Sequence, residues 1–218
     1  MTERCAWKAV QYIKDNMIIG LGHGKAIEYL IDLIIEKKLN IKVVTLSNKI
    51  KQICLKHNLN VISISSVNHI DIAFDGCDEV DIKLNALKSG QNTYLKDKMI
   101  AKMAKKYILL VEEENVYEKL PFCHNVTLEI KPESLSNVKE QVHLLNGCVH
   151  VQKRKSRECY MMNNQGHLVV EADFNCIDDV KKLDHELNHI SGVVGTSLYV
   201  GIVTSILSLD DTHVRIIS

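Results

Sequence analysis

Apolar positions along the chain follow two periods, and the alternation between them predicts the fold. Residues 3–14 set Ala6, Ala9, Val10 and Ile13 on one side of a helix. Residues 17–21 are a short, continuously apolar run, as in a strand covered on both faces. Gly20-Leu21-Gly22-His23-Gly24-Lys25 leads directly into a second helical stretch, 26–37, with Ile27, Leu30, Ile31 and Ile34 inward. Further strands are expected at 43–46, 61–64, 70–74 and 107–111, with helices at 49–56 and 93–105 and an acidic loop at 112–115. This order predicts an α/β class: a mostly parallel, doubly wound, Rossmann-like sheet with helices on both faces.

From Val126 the rhythm changes. Strands at 126–130, 148–152, 159–162 and 168–171 and helices at 135–145 and 177–187 are closed by a strand near 193–198. Asn163-Asn164-Gln165-Gly166 is a hairpin turn signal. The β-α-β-β-α-β order is that of a small ferredoxin-like α+β domain. Strands at 199–204 and 213–217 are expected to return to the main sheet. The division is therefore 1–125 with 199–218 as the α/β catalytic domain, and 126–198 as the ferredoxin-like one.

Composition narrows the partners. With 27 basic and 27 acidic residues in 218, the formal charge is zero, so no overall field favours nucleic acid or an acidic membrane. The densest basic run, Lys153-Arg154-Lys155-Ser156-Arg157, reads as a solvated hairpin tip more readily than as a binding patch. No apolar run reaches membrane-spanning length, and the N-terminal helix lacks a signal peptide's apolar region, so an intracellular, cytoplasmic protein is expected. Seven cysteines form no Cys-x-x-Cys pair and no Cys/His cluster with zinc spacing. Most are expected to be small core residues, with no metal site.

Candidate chemistry gathers between Ile70 and Lys98. An apolar strand ends in Asp75, Asp78, Glu79 and Asp81; Lys88 follows, then Ser89 and Gly90, then Lys96-Asp97-Lys98 at a helix start. Carboxylates at a strand's carboxyl end lie where open α/β sheets place ligands. Asp75 and Asp78 also fit plain turn residues, Lys88 a surface lysine, and Asp97 a favourable charge on a first helical turn. The Gly22-His23-Gly24-Lys25 turn has the form of an anion site, glycines and free N–H groups at a helix start. It matches neither the nucleotide P-loop nor the dinucleotide fingerprint, and a merely tight turn with Lys25 and His23 facing water fits the same pattern.

Asp75-Gly76-Cys77-Asp78-Glu79 resembles the Asp-Gly-Ala-Asp-Glu signature of the type A ribose-5-phosphate isomerase family. Lys88 to Lys98 is similar to that family's Lys-Gly-Gly-Gly, spacer, Arg-Glu-Lys motif, and the likeness spans nearly the whole chain. The resemblance implies an aldose–ketose isomerase acting on a sugar phosphate, without metal or organic cofactor, assembled as a homodimer or homotetramer. It implies Asp97 as the base, Asp75 and Asp78 on ring opening and hydroxyl contacts, and Lys88 on the enediolate oxygen. Gly22, His23, Gly24, Lys25, Ser47, Ser89, Gly90 and Lys98 are implied as substrate or phosphate contacts. The family carries glutamate where this chain has Asp97, and hydroxyl residues where it has His23, Lys25 and Ala26.

Overall fold

The computed structural model describes residues 2–89, 94–151, 160, 162–174, 177–209 and 213–218. Its main sheet has seven strands. Ile18–Leu21 pairs in parallel with Lys42–Val44 on one side and with Ile72–Asp75 on the other. Asn60–Val61 extends the first side; Tyr107–Glu112 and Ser205–Leu209 extend the second, all parallel. Val214–Ile217 closes that edge antiparallel. The chain therefore runs outward from Ile18–Leu21 in one direction, returns, and continues in the other. The reversal lies between Ile18–Leu21 and Ile72–Asp75, and their carboxyl ends form the crevice where such sheets receive ligands.

Period-two alternation divides this sheet between two cores. Ile19, Phe74, Ile108 and Leu207 pack with Ala6, Ile27, Leu30, Ile31 and Ile34, under the helices Thr2–Ala9 and Lys25–Glu36. Ala73, Tyr107, Leu109 and Ile206 turn the other way, towards Ile100 and Ala101 of the helix Tyr94–Met103. Both faces are dry, which is why the strands read as continuous apolar runs.

A second sheet, wholly antiparallel, is ordered Gly147–Val151, Leu168–Phe174, Val126–Ile130, Val193–Thr196. Leu135–Leu144 and Val180–His189 supply Val138, Val142, Leu183 and Leu187 to the core beneath it. This is the expected ferredoxin-like arrangement. The Asn163 turn is present too: Asn163 Oδ1 accepts from Gln165 N and His167 N, and Gly166 sits at φ +82°. The basic run 153–157, Cys159 and Cys176 lie outside the described residues.

Three expectations change. Residues 199–204 are not one strand: Leu198–Tyr199 pairs with Ala86–Leu87, Gly201 takes φ +67°, and the main-sheet strand begins only at Ser205. Those short pairings, with Glu79–Asp81 and Val116–Tyr117, form a third, four-stranded sheet that periodicity did not indicate. The strand expected at 61–64 ends at Val61, because Ser63 Oγ accepts from Ser65 N and starts a 3-10 turn. Of the five described cysteines, Cys5 and Cys54 are core residues, whereas Cys123 and Cys148 are exposed. No helix among the described residues is long and apolar enough to cross a membrane.

Candidate active site

Asp75 ends its strand on the face covered by the helix Tyr94–Met103, so its carboxylate enters the crevice from below. Both oxygens are occupied. Oδ1 accepts from Gly76 N at 2.8 Å and His23 N at 3.2 Å; Oδ2 accepts from Tyr107 Oη at 3.0 Å and from Lys88 Nζ. The approach of the Gly22 turn depends on glycine, since a Cβ there would stand 2.0 Å from Asp75 Cγ. Gly24, at φ +120°, then turns the chain into the helix Lys25–Glu36. Among the described residues the N–H groups of Gly24, Lys25 and Ala26 have no partner, as expected of a first helical turn.

Asp97 occupies the first turn of its helix, where a negative charge is favoured, and it is only 2 % exposed. Its Oδ2 lies 3.5 Å from Lys88 Nζ and 3.5 Å from His23 Nδ1. Burial alone would raise the Asp97 pKa; the hydrogen bond from His23 and the charge of Lys88 outweigh it and hold the carboxyl below its usual range. The His23 pKa is raised, chiefly by its hydrogen bond with Asp97 and against the effect of burial. Burial also opposes the charge on Lys88, but Asp75 and Asp97 overcome it and raise that pKa. At neutral pH the site therefore holds an ionised carboxylate against a protonated lysine.

Asp78 is half-buried, and its Oδ2 accepts from Ser89 N at 2.6 Å and Ser89 Oγ at 3.2 Å. The other two acids of the cluster leave the crevice. Glu79 is fully buried and its Oε1 accepts from His124 N at 2.7 Å, while Oε2 has no partner among the described residues. Asp81 closes a turn by accepting from Lys83 N and Asn85 N, each at 2.9 Å.

The structure thus brings Asp75, Asp97, Lys88, Gly22 and His23 together, with Asp78 and Ser89 as an adjoining pair. Lys25 and Gly24 are exposed at the turn. Ser47 caps the helix Asn48–Lys56, its Oγ accepting from Ile50 N at 3.4 Å. Gly90 lies outside the described residues. Lys98 does not join the cluster. Successive helical residues are about 100° apart, so with Asp97 inward Lys98 turns aside, and its Nζ donates to Thr196 O at 3.1 Å. There, with Lys102, Asp184, Asn188 and Thr204, it lines a separate cavity of about 650 Å³. Burial lowers its pKa to about 8, with Asp184 opposing.

Sequence reasoning missed two aromatic residues. The ring of Tyr199 stacks on Tyr107 at 5.9 Å, and Nζ of Lys88 and Nζ of Lys98 lie 5.6 and 5.4 Å from its centroid. Tyr107 carried a faint signal, a tyrosine opening an aliphatic strand, whose hydroxyl needs a partner when buried. One metal-type group exists among the described residues. Cys148, His150 and Asp173 bring ligand atoms within 4.8 Å of one another. It belongs to the second sheet and is assembled across two strands, so linear spacing could not reveal it.

The family model for ribose 5-phosphate isomerase A (phosphoriboisomerase A) matches residues 42–211. The chain belongs to that isomerase family. Ribose-5-phosphate isomerase A of Staphylococcus haemolyticus is 28% identical over 214 residues, covering 96% of this chain and 93% of that protein. The Thermococcus kodakarensis isomerase A is 30% identical over 212 residues, covering 95% of this chain and 93% of its own. Among solved structures, a D-ribose-5-phosphate isomerase in complex with phospho-erythronic acid superposes with TM-score 0.88 at 28% identity, over 99% of this chain and 96% of the other. The Methanocaldococcus jannaschii isomerase A shares the fold, with TM-score 0.86 at 24% identity over 99% and 96% of the two chains.

Proposed function

We propose that the chain interconverts ribose 5-phosphate and ribulose 5-phosphate through an enediolate, as its family name implies. One observation carries the reading: an ionised carboxylate, Asp97, and a protonated ammonium, Lys88, are buried 3.5 Å apart at the point where the parallel sheet reverses direction. Aldose–ketose isomerisation needs a base beside the carbon that bears the carbonyl, and a cation where that oxygen gains charge.

In this reading Asp97 removes the proton from C2 of the aldose, the C–H electron pair forms the enediolate, the hydroxyl proton on O2 passes to O1, and the same carboxyl returns the carbon-bound proton to C1 as O2 becomes the carbonyl. Lys88 neutralises the developing oxyanion. Asp75, whose oxygens are both occupied, fixes Lys88. Asp78 offers Oδ1, without partner among the described residues, to a sugar hydroxyl. The Gly22–Lys25 turn and the Ser47 cap present two helix starts from neighbouring strands, which supports a phosphate site there. Lys98 is assigned instead to bracing its helix against Thr196.

Purified protein incubated with ribose 5-phosphate is expected to form ketose, and Asp97→Asn to lower kcat by about 100- to 10,000-fold. Absence of ketose from the unaltered protein would refute the reading. A second reading, isomerisation of another phosphorylated sugar or binding without turnover, draws on the shorter acid at Asp97. Its carboxylate sits about 1.5 Å further back than a glutamate's, a displacement that can cost on the order of 100-fold. A panel of pentose and hexose phosphates, with Asp97→Glu alongside, separates the three. The resemblance also implies a cytoplasmic homodimer or homotetramer, and light scattering tests the assembly.

A further inference from the structure

Two departures from the family signature meet in this chain. Asp97 stands where glutamate is implied and His23 where a hydroxyl residue is implied, and His23 Nδ1 is 3.5 Å from Asp97 Oδ2. The imidazole is well placed to stay there. Its backbone N–H donates to Asp75 Oδ1 at 3.2 Å, and Gly22 beside it is pressed onto the Asp75 carboxylate. The charged groups facing the ring among the described residues are Asp97, Asp75 and Lys88. Asp97 is the nearer acid, since Nδ1 is 3.8 Å from Asp75 Oδ1.

Lys88 and His23 both address Oδ2 of Asp97, and Oδ1 has no partner among the described residues. A carboxylate held through one oxygen presents the other. We propose that His23 is a positioning residue for proton transfer: by holding Asp97 Oδ2 it aims Oδ1, the atom that takes and returns the substrate proton. This rests on the isomerase reading above. The substrate C–H bond breaks, its proton bonds to Oδ1, the electron pair passes into the enediolate, and His23 neither gains nor loses a proton. The imidazole is thereby assigned to the acid cluster and not to the phosphate, and it compensates for the shorter base.

Five measurements test this. His23→Ala is expected to lower kcat about tenfold with KM changed less than about twofold. A raised KM with kcat unchanged would assign His23 to substrate binding and overturn the proposal. Without the imidazole beside it the Asp97 pKa rises, so the acid limb of kcat/KM moves to higher pH; an unmoved limb overturns it. His23→Asn keeps a donor near the position of Nδ1 and recovers most of the lost kcat, which loss of a merely structural residue would not predict. Finally, His23→Thr with Asp97→Glu restores the family pair, and its cost should fall well short of the two single costs combined; additive costs overturn the coupling. Nuclear magnetic resonance titration of His23 is independent of turnover. Its midpoint should drop in Asp97→Asn, and a midpoint that stays put refutes the pairing even in an active enzyme. A protein inert towards ribose 5-phosphate whose His23 midpoint still drops would refute the function and the catalytic role together, leaving the ion pair alone.

Discussion

Lys88 and Lys98 are both out of water and both lie against the ring of Tyr199, yet they pose opposite electrostatic problems. Lys88 faces two carboxylates and keeps its charge; Lys98 faces a carbonyl and a hydroxyl of Thr196, and burial brings its pKa down to about 8. Both are buried, Lys88 a little more deeply. What differs is whether ionised partners were buried with the ammonium, and that decides whether a lysine is a fixed cation or a group on the verge of neutrality. The reaction proposed above calls for the first kind at the enediolate oxygen.

The sharpest way to break the comparison is to replace each ammonium with an apolar chain of similar length. Lys88→Met strands Asp75 and Asp97 together. It is expected to lower kcat at least 100-fold and to destabilise the fold by about 3–5 kcal/mol, read by urea unfolding. Lys98→Met removes a charge that no carboxylate offsets at close range, so stability should hold or improve and kcat should change less than about twofold. A loss of activity like that of Lys88→Met would return Lys98 to the substrate site.

The two lysines also predict opposite responses to alkali. Lys98 has a folded pKa below its unfolded value of 10.5, so the unfolded chain binds more protons between about 8 and 10.5 and stability rises with pH there. The gain is on the order of 3 kcal/mol, measured as the stability of the unaltered protein relative to Lys98→Met. Lys88 has a folded pKa above its unfolded value, so its contribution is complete below 10.5 and is lost as pH climbs through the folded value. A flat difference between the unaltered protein and Lys98→Met from pH 8 to 10.5 would show that Lys98 is not desolvated.

Gly22→Ala should have a smaller effect, forcing a methyl against Asp75 for about 1–3 kcal/mol and displacing the carboxylate that fixes Lys88. Tyr107→Phe is the mildest change. It removes the one hydroxyl donor on Asp75 Oδ2, with an expected cost of about 1 kcal/mol and a few-fold drop in kcat. If Tyr107→Phe proved more damaging than Lys88→Met, Asp75 would be held mainly by the phenol, and the carboxylate–lysine side of the comparison would need redrawing.

The central strands of the main sheet could be read from the sequence because Ile18–Leu21, Ile72–Asp75 and Tyr107–Glu112 are mostly apolar runs, and a run buried on both faces keeps its signature whatever its neighbours. Asp75, at the end of such a run, could be placed for the same reason. The third sheet could not. Ala86–Leu87 and Leu198–Tyr199 are two-residue strands whose pairing joins segments far apart in sequence, and two residues carry no period. Lys98, implied as a substrate contact by the resemblance, is turned from Asp97 by the roughly 100° step between successive helical residues and donates to Thr196 O. His23 was assigned to phosphate because its turn has the form of an anion site. Only the distance to Asp97, set by a helix more than seventy residues later, turns the imidazole towards an acid.

Tyr199 reaches the cleft from the strand pairing Leu198–Tyr199 with Ala86–Leu87, after the whole second sheet has been laid down. A chain emerging from the ribosome exposes its acids and Lys88 long before the ring that both ammonium groups approach has been synthesised. Until Tyr199 has been made, the half-made protein carries the reactive groups without the ring they pack against, so activity is expected to arrive late. Chains stalled or clipped before Tyr199 should accordingly be inert, even with every residue of the acid signature intact.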